Sequence, residues 1–366
     1  MAAKSTPSQA SDERSIEAAA ASLHAGGLVA FPTETVFGLG ADALNERAVR
    51  RVFEIKGRPA RNPLIVHVSG VEAARRLCAD GAWDTRCEAL ASAFWPGPLT
   101  IVVPKSDRVP EVVTGGGASV GIRCPRNGIA LGLLRAFEHL GGVGVVGPSA
   151  NRSGYVSPTT AAHVREAFQA EDVMVLDDGE GTREVGIEST VLRISPRHVE
   201  GVGAEILRPG VVSAGAIERV LRVTGDDRPV VMGTHTHGDG AAALAGPGLL
   251  EVHYAPRARC RFVSREKLEQ FLEHARGTTS DAATVVVATE HGHIPAGMRL
   301  VMLPRDACGY ARGLYSALRD ADAAGPGMIL VVDPRPATDD GHSALWAAIM
   351  DRLQRACATR DGATRG

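Results

Sequence analysis

Short polar islands interrupt the apolar runs of the first two-thirds of this chain, and their side chains are of types that hold anions. FPTETVFGLG places Thr33, Glu34 and Thr35 directly after an apolar run, and KGRPARNPLIVH carries Lys56, Arg58, Asn62 and His67. GASVGIRCP carries Ser119 and Arg123, and PSANRSGYVSP carries Ser149, Asn151 and Ser157. GIESTV supplies Glu188, Ser189 and Thr190, and ILRPG supplies Arg208. Arg123 and Glu188 stand inside otherwise apolar strand patterns, where a charge is costly unless it is paired or faces a ligand. Guanidinium forks, hydroxyls, an amide and a helix N-terminus at Ser157 are what a polyphosphate site is built from. Each island has a plainer explanation on its own: Lys56 and Arg58 complement a helix C-terminus, and Ser157 caps a helix. Their combination is what points to a ligand.

The bulk properties narrow the class. A chain of 366 residues can bury two cores, and 44% hydrophobic with 22% charged residues is ordinary for a globular protein. A net charge of −2 provides no global field to gather nucleic acid, and 4% aromatics provide no stacking surface for single strands. The cysteines at 78, 87, 124, 260, 308 and 357 are scattered without a CxxC pair, so reduced thiols are expected rather than staples or a zinc site. The polar MAAKSTPSQASDERS start has no apolar core of a secretory signal, and no run reaches membrane-span length; a cytoplasmic protein is expected. Lysine occurs only at 4, 56, 105 and 267, against many arginines, so the compact ammonium at Lys56 stands out.

Familiar nucleotide and hydrolase signatures are missing. No lysine sits in a GxxxxGK[ST] loop, and HExxH, GxSxG and kinase motifs are absent. A GxGxxG match at Gly142, Gly144 and Gly147 runs into PSANRSG, where Pro148 opposes the required turn into a helix; it reads as a glycine-rich buried strand.

The elements that must carry these islands alternate between short apolar runs and helical periodicity from about residue 15 to 212, an α/β pattern. SIEAAAASLHAG reads as a helix closed by Gly26, and NERAVRRVFEIKG as one capped by Asn45 and stopped by Gly57. GLVAFPT, PLIVHV, LTIVVP, SVGIRCP, GVGVVGPS, STVLRIS and AEILRPG read as strands, and SPTTAAHVREAF as a helix with Ser157 at its cap and Pro158 in its first turn. Periodicity fades between about 223 and 247, where the HTHGDG tract reads as loop rather than metal site. A second α/β pattern follows, with strands RCRFVS, ATVVVATE, RLVMLP and GMILVVD and three helices, an open parallel or mixed sheet.

Together, PTETVFGLGADA, KGRPARNPLIVHV, FWPGPLT, GIRCP, PSANRSGYVSPTT, GIESTV and LRPG, followed by PGLLEVHYAP and ARGLYSALRDAD, resemble the Sua5/YrdC family in its two-domain Sua5 form, over nearly the whole chain beyond the first dozen residues. The resemblance implies a twisted, partly barrel-like α/β catalytic domain with a large cleft over 13–215, a linker over 216–256 that can cover the site, and a smaller Rossmann-like domain over 257–366. It implies synthesis of threonylcarbamoyl-AMP and pyrophosphate from L-threonine, bicarbonate and ATP with Mg2+, for t6A modification at position 37 of tRNA. Downstream threonylcarbamoyl transferase machinery would take the product, and direct contact with tRNA is left open.

Carried over by motif, Thr35, His67, Arg123, Gly147 and Ser189 would face threonine. Arg58, Asn62, Ser119, Ser149, Ser157 and Arg208 would hold ATP, with Tyr254 reaching it from the linker, and Lys56 and Asn151 would surround the phosphates. Lys56 and Arg58 would serve catalysis by offsetting phosphate charge, and no dedicated metal ligands are expected, Glu188 being the one candidate. The sequence departs from the family pattern at Phe37, where tyrosine is usual, at Gly147, where alanine is common, and at Asn127, where histidine is common. A glycine at 147 is expected to loosen the threonine pocket. Two other readings stay open: an RNA-binding module lined by the arginine islands, and a YrdC-type carbamoyltransferase.

Overall fold

The computed structural model describes residues 12–179, 184–198, 200–233, 253–275, 284–289, 298–336 and 340–358. Two compact units emerge: the first comprises Met1–Ser153 with Pro158–Leu249, the second Gly154–Ser157 with Leu250–Gly366.

Ten strands form the sheet of the first unit: β1 (Leu28–Phe31), β2 (Gly38–Asp42), β3 (Ile65–His67), β4 (Leu99–Pro104), β5 (Ser119–Arg123), β6 (Val145–Val146), β7 (Val173–Val175), β8 (Thr190–Ile194), β9 (Ala204–Arg208) and β10 (Val230–Met232). Their order is β10-β9-β8-β4-β5-β3-β6-β2-β1-β7. Parallel pairs (β3 with β5, β4 with β8) alternate with antiparallel ones (β4 with β5, β3 with β6). β1 and the first five residues of β4 are buried on both faces, which is why LVAF and LTIVV read as runs of buried residues rather than as an alternating pattern.

The helix Glu46–Lys56 shows how local chemistry sets a boundary beside the site. Asn45 accepts the Ala48 amide, and Gly57 closes the other end at φ 61°, in the left-handed region open to glycine. Val49, Val52 and Phe53 bury one face, and Lys56, the last helical residue, is carried into the interior with them.

Two expectations differ from the structure. The helix after PSAN is Ala161–Ala167, and its cap is Thr160, whose hydroxyl accepts the His163 amide at 3.1 Å. Ser157 is no cap, because the Pro158 carbonyl that follows it accepts the Phe37 amide at 3.2 Å and the chain stays extended. The early part of the stretch expected as linker is also regular structure: Ala214–Val223 is a helix, and β10 pairs in parallel with β9. Residues 234–252, with the HTHGDG tract, lie outside the described residues.

A buried ion cluster ties that stretch to the first unit. Arg86, 4% exposed, donates to Asp84 at 2.6 Å, to Asp226 at 3.1 Å and to the Ser195 carbonyl at 2.8 Å, and Arg228 meets Asp226 at 2.7 Å.

The second unit is a four-stranded sheet of β11 (Arg259–Val263), β12 (Thr284–Ala288), β13 (Met298–Met302) and β14 (Met328–Val332) in the order β11-β14-β12-β13. Every pairing is parallel, with helices Arg265–Ala275, Ala307–Ala323 and Ser343–Ala356 between or after the strands. The short segment Gly154–Ser157 belongs here: Ala255 donates to the Gly154 carbonyl, and Arg319 donates to the carbonyls of Val156 at 2.6 Å and Ser157 at 3.2 Å.

Truncating one member of a buried charge cluster leaves the others uncompensated. Arg86→Ala is therefore expected to destabilise the first unit by about 3–5 kcal/mol, measured as a lowered urea midpoint, whereas an unchanged midpoint would show that Arg228 alone satisfies Asp226.

Candidate active site

The parallel ladder of β3 and β5 carries expected site residues at both ends. At its far end His67 and Arg123 are register partners, each the last residue of its strand. At its near end the strands begin beside Asn62 and Ser119, so Ser119 and Arg123 stand about 13 Å apart by strand rise.

At the far end a charge is buried. Arg123 is 4% exposed and must find acceptors. Its Nη2 meets Glu34 Oε1 at 2.8 Å and donates to Thr35 Oγ1 at 3.0 Å, while Nε donates to the Gly97 carbonyl at 3.3 Å. Glu34, fully buried, accepts the Arg126 amide on its other oxygen at 3.0 Å. The turn after β1 that presents Glu34 and Thr35 is held by Thr33, which contacts the Thr35 hydroxyl and donates to the Val36 carbonyl, both at 2.7 Å.

His67 lies beside this group with its ring edge-on to Phe31, centroids 5.5 Å apart. Burial, then the neighbouring Arg123 charge, pushes its imidazole down to about 3, so it is neutral near pH 7. Its Nδ1 is buried and has no hydrogen-bond partner. Gly147 is what lets the ring lie there: a Cβ at this position would come within 2.6 Å of that nitrogen. The missing methyl does not loosen this place as expected, because the His67 ring occupies the space.

Ser189 and Arg208 form a second group, joined to the first through β4. Ser189 shares a 2.8 Å contact with Thr100 on β4, and Arg208 donates twice to the Ser189 carbonyl, at 3.1 and 3.0 Å, and to its hydroxyl at 3.2 Å.

The cationic rim is organised through the backbone. Lys56 donates its ammonium to the Ser149 carbonyl at 2.6 Å and to the Asn151 carbonyl, clamping the PSAN loop to the helix end. Desolvation, with Arg58 and Arg152 nearby, pushes its pKa well below the usual ammonium value. Arg58 wraps the loop that follows, donating to the Asn62 carbonyl at 3.0 Å and to Asn62 Oδ1 and the Pro63 carbonyl at 2.7 Å. Asn62 is fully buried, and its Nδ2 has no partner. A buried amide donor and a buried imidazole nitrogen without protein partners are what a polar ligand would satisfy.

Thr35, His67, Arg123 and Gly147 are thus brought together, as are Ser189 with Arg208, Lys56 with Ser149 and Asn151, and Arg58 with Asn62. Ser157 and Tyr254 belong to the second unit, where Tyr254 adopts φ 61° and stacks on Tyr315 with centroids 5.4 Å apart. Glu34 and Thr100 are the additions. Glu34 was visible as a charge directly after a strand, but Thr100 sits inside an apolar run and gave no signal. Among the described residues no group of three side chains could hold a metal ion. An open cavity of about 990 Å³ beside Gly26, Asn45, Arg47 and Arg51 shares no residue with these groups.

Comparison with known proteins identifies the family of the chain. Residues 21–210 match the Sua5–YciO–YrdC family profile described as telomere recombination, and residues 212–358 match the profile described as threonylcarbamoyl-AMP synthase, C-terminal domain. The threonylcarbamoyl-AMP synthase of Pyrococcus abyssi is 39% identical over 95% of this chain and 96% of its own, and that of Bacillus subtilis is 34% identical over 97% and 96%. The crystal structure of P. abyssi Sua5 complexed with L-threonine superposes with a TM-score of 0.80, at 36% identity, covering 95% of this chain and 96% of that one.

The neutral His67 makes a pH prediction. Its folded pKa lies below the 6.5 of an ordinary histidine, so the unfolded chain takes up the extra proton between about pH 6.5 and 3. The associated stability is complete above that window and is lost as pH falls through it. Urea midpoints of the wild type should drop more steeply towards about pH 4 than those of His67→Gln; equal slopes would show that the imidazole is not held neutral.

Proposed function

Because this chain belongs to the Sua5 family of threonylcarbamoyl-AMP synthases, we propose that it joins L-threonine, bicarbonate and ATP into threonylcarbamoyl-AMP with release of pyrophosphate, a nucleotidyl transfer. The observation that carries this reading is the buried Arg123–Glu34 pair at the end of the β3–β5 ladder. Its opposite charges match a zwitterion: the guanidinium suits an α-carboxylate and the carboxylate suits an α-ammonium. Thr35, His67, Gly147 and Ser189 complete the threonine side. Arg58, Asn62, Ser119, Ser149, Asn151 and Arg208 are assigned to ATP, and the family resemblance assigns Ser157 and Tyr254 to ATP as well.

In the proposed sequence bicarbonate loses hydroxide to give carbon dioxide, the threonine amine forms a C–N bond to that carbon to give a carbamate, and the amine proton joins the hydroxide as water. A carbamate oxygen then attacks the α-phosphorus of ATP, the bond from that phosphorus to the bridging oxygen breaks, and pyrophosphate leaves. No protein nucleophile is required, so positioning and charge neutralisation carry the catalysis. Arg58 and Arg208 offset phosphate charge. Lys56 acts with them by fixing the Ser149 and Asn151 loop, since its ammonium is engaged by two carbonyls. The described residues assemble no magnesium cage; magnesium is assigned to the ATP phosphates, as is usual for this ion. The product would pass to a threonylcarbamoyl transferase acting at position 37 of tRNA, in the cytoplasm. No helix among the described residues is long and apolar enough to cross a membrane.

Pyrophosphate release should require threonine and bicarbonate, each omitted in turn. Arg58→Ala should abolish it. Arg123→Ala should raise the threonine KM by roughly 10- to 100-fold, the worth of a charged hydrogen bond, and serine should be discriminated only about tenfold, since one methyl separates the two amino acids. ATP turnover indifferent to threonine, or near wild-type kinetics in both variants, would refute the assignment.

A further inference from the structure

Two of the six cysteines meet in the second unit, 97 residues apart in sequence. Cys260 lies in β11, backed by Ile329 of β14, and Cys357 caps the helix Ser343–Ala356. Their sulfurs are 2.8 Å apart. That is inside the about 3.5–4.0 Å at which non-bonded heavy atoms settle, and less than an ångström of further approach would reach the about 2.05 Å of an S–S bond. We propose that Cys260 and Cys357 form a modification site, a thiol pair that hydrogen peroxide converts into an intrachain disulfide.

The remaining thiols show by contrast why this pair reacts. Cys78, Cys87 and Cys124 are buried in the first unit, and burial pushes them up to about 12, about 12 and about 11. Their thiols donate to carbonyls, Cys78 to Ala74, Cys124 to Ser69 and Cys87 to Ala82. Cys308 is exposed. Within the pair, Cys260 is buried while Cys357 is partly exposed. The hydrogen bond that the Cys260 thiol donates to Cys357 in this state, then burial, raises the Cys260 pKa far above an ordinary thiol, so Cys260 keeps its proton and the more exposed Cys357 meets the oxidant.

The chemistry balances in two steps. The Cys357 thiolate attacks one peroxide oxygen; the S–O bond forms, the O–O bond breaks, and hydroxide leaves as water, giving a sulfenic acid. The Cys260 sulfur then attacks that sulfur; the S–S bond forms, the S–O bond breaks, and the hydroxyl departs with the Cys260 proton as a second water. Two thiols lose two electrons and one peroxide becomes two waters. The bridge would join the last helix of the second unit to its first strand. Arg355, two residues before Cys357, accepts the His253 amide at 3.3 Å, so the bridged helix end is also the one that holds the His253–Tyr254 segment.

The inference is independent of the enzymatic reading and is tested on the full chain. Reduced protein is exposed to dilute hydrogen peroxide, unfolded, alkylated and mapped by mass spectrometry. Free thiols should fall from six to four, with a single Cys260–Cys357 peptide link that dithiothreitol reverses and that a Cys357→Ser variant cannot form. The oxidised wild type should also melt several degrees higher than its reduced form, a gain that the variant does not show. Six persisting thiols, a link between other cysteines, or Cys357 oxidised to a sulfinic acid while Cys260 stays free would each overturn the proposal.

Discussion

A guanidinium removed from water has to be met by acceptors on several sides, and Arg123 is the group around which the first unit arranges its polar interior. One strand end positions it, the turn after β1 supplies a carboxylate and a hydroxyl, and the loop before β4 supplies the Gly97 carbonyl. These three sources are far apart in sequence and reach the same point only when β1, β3, β5 and β4 are assembled together. A half-satisfied version of this cluster would be worse than an apolar core, so the fold that buries Arg123 must also bring Glu34, Thr35 and the Gly97 carbonyl to it.

The β3–β5 ladder then separates two tasks. Its register aligns His67 with Arg123 and keeps Arg58 and Asn62 at the opposite end. A nucleotide and an amino acid brought to the two ends would be held by groups that cannot slide relative to each other, because slipping a buried strand by one residue would turn its side chains to the wrong face. The clamp from Lys56 to the Ser149 and Asn151 carbonyls extends this rigidity to a loop with no strand of its own. Rigid placement is what a reaction without a protein nucleophile needs most.

Much of this was legible in the sequence, and the exceptions have a common cause. Asn45 and Gly57 bound their helix as local chemistry dictates, and LTIVVP became β4 to the residue. Arg123 announced itself as a charge in an apolar strand. Ser157 misled because a serine followed by proline has the form of a cap, whereas here the carbonyls on either side of that bond are taken up by distant donors, Arg319 at Ser157 and the Phe37 amide at Pro158. Thr100 was invisible since its partner, Ser189, is 89 residues away, and the two cysteines of the second unit were unpaired on paper because they are 97 apart. Local propensity reads elements; it cannot read which elements will be neighbours.

The departures from the family pattern show how a site absorbs change. Asn127 takes a purely local position as the cap of the helix Gly128–His139, accepting the amides of Ile129 and Ala130 at 3.0 and 3.1 Å. Phe37 is packed into the main core, and its backbone, not its ring, does the connecting, donating to Pro158 and accepting from Ala150. Gly147 differs in kind, since the space left by its missing Cβ is filled by His67. Restoring a methyl there would force the imidazole away from a strand end that β5 and β6 hold in place on both sides. The glycine and the neutral, buried histidine are thus one unit of packing, in which a side chain at 147 displaces the ring.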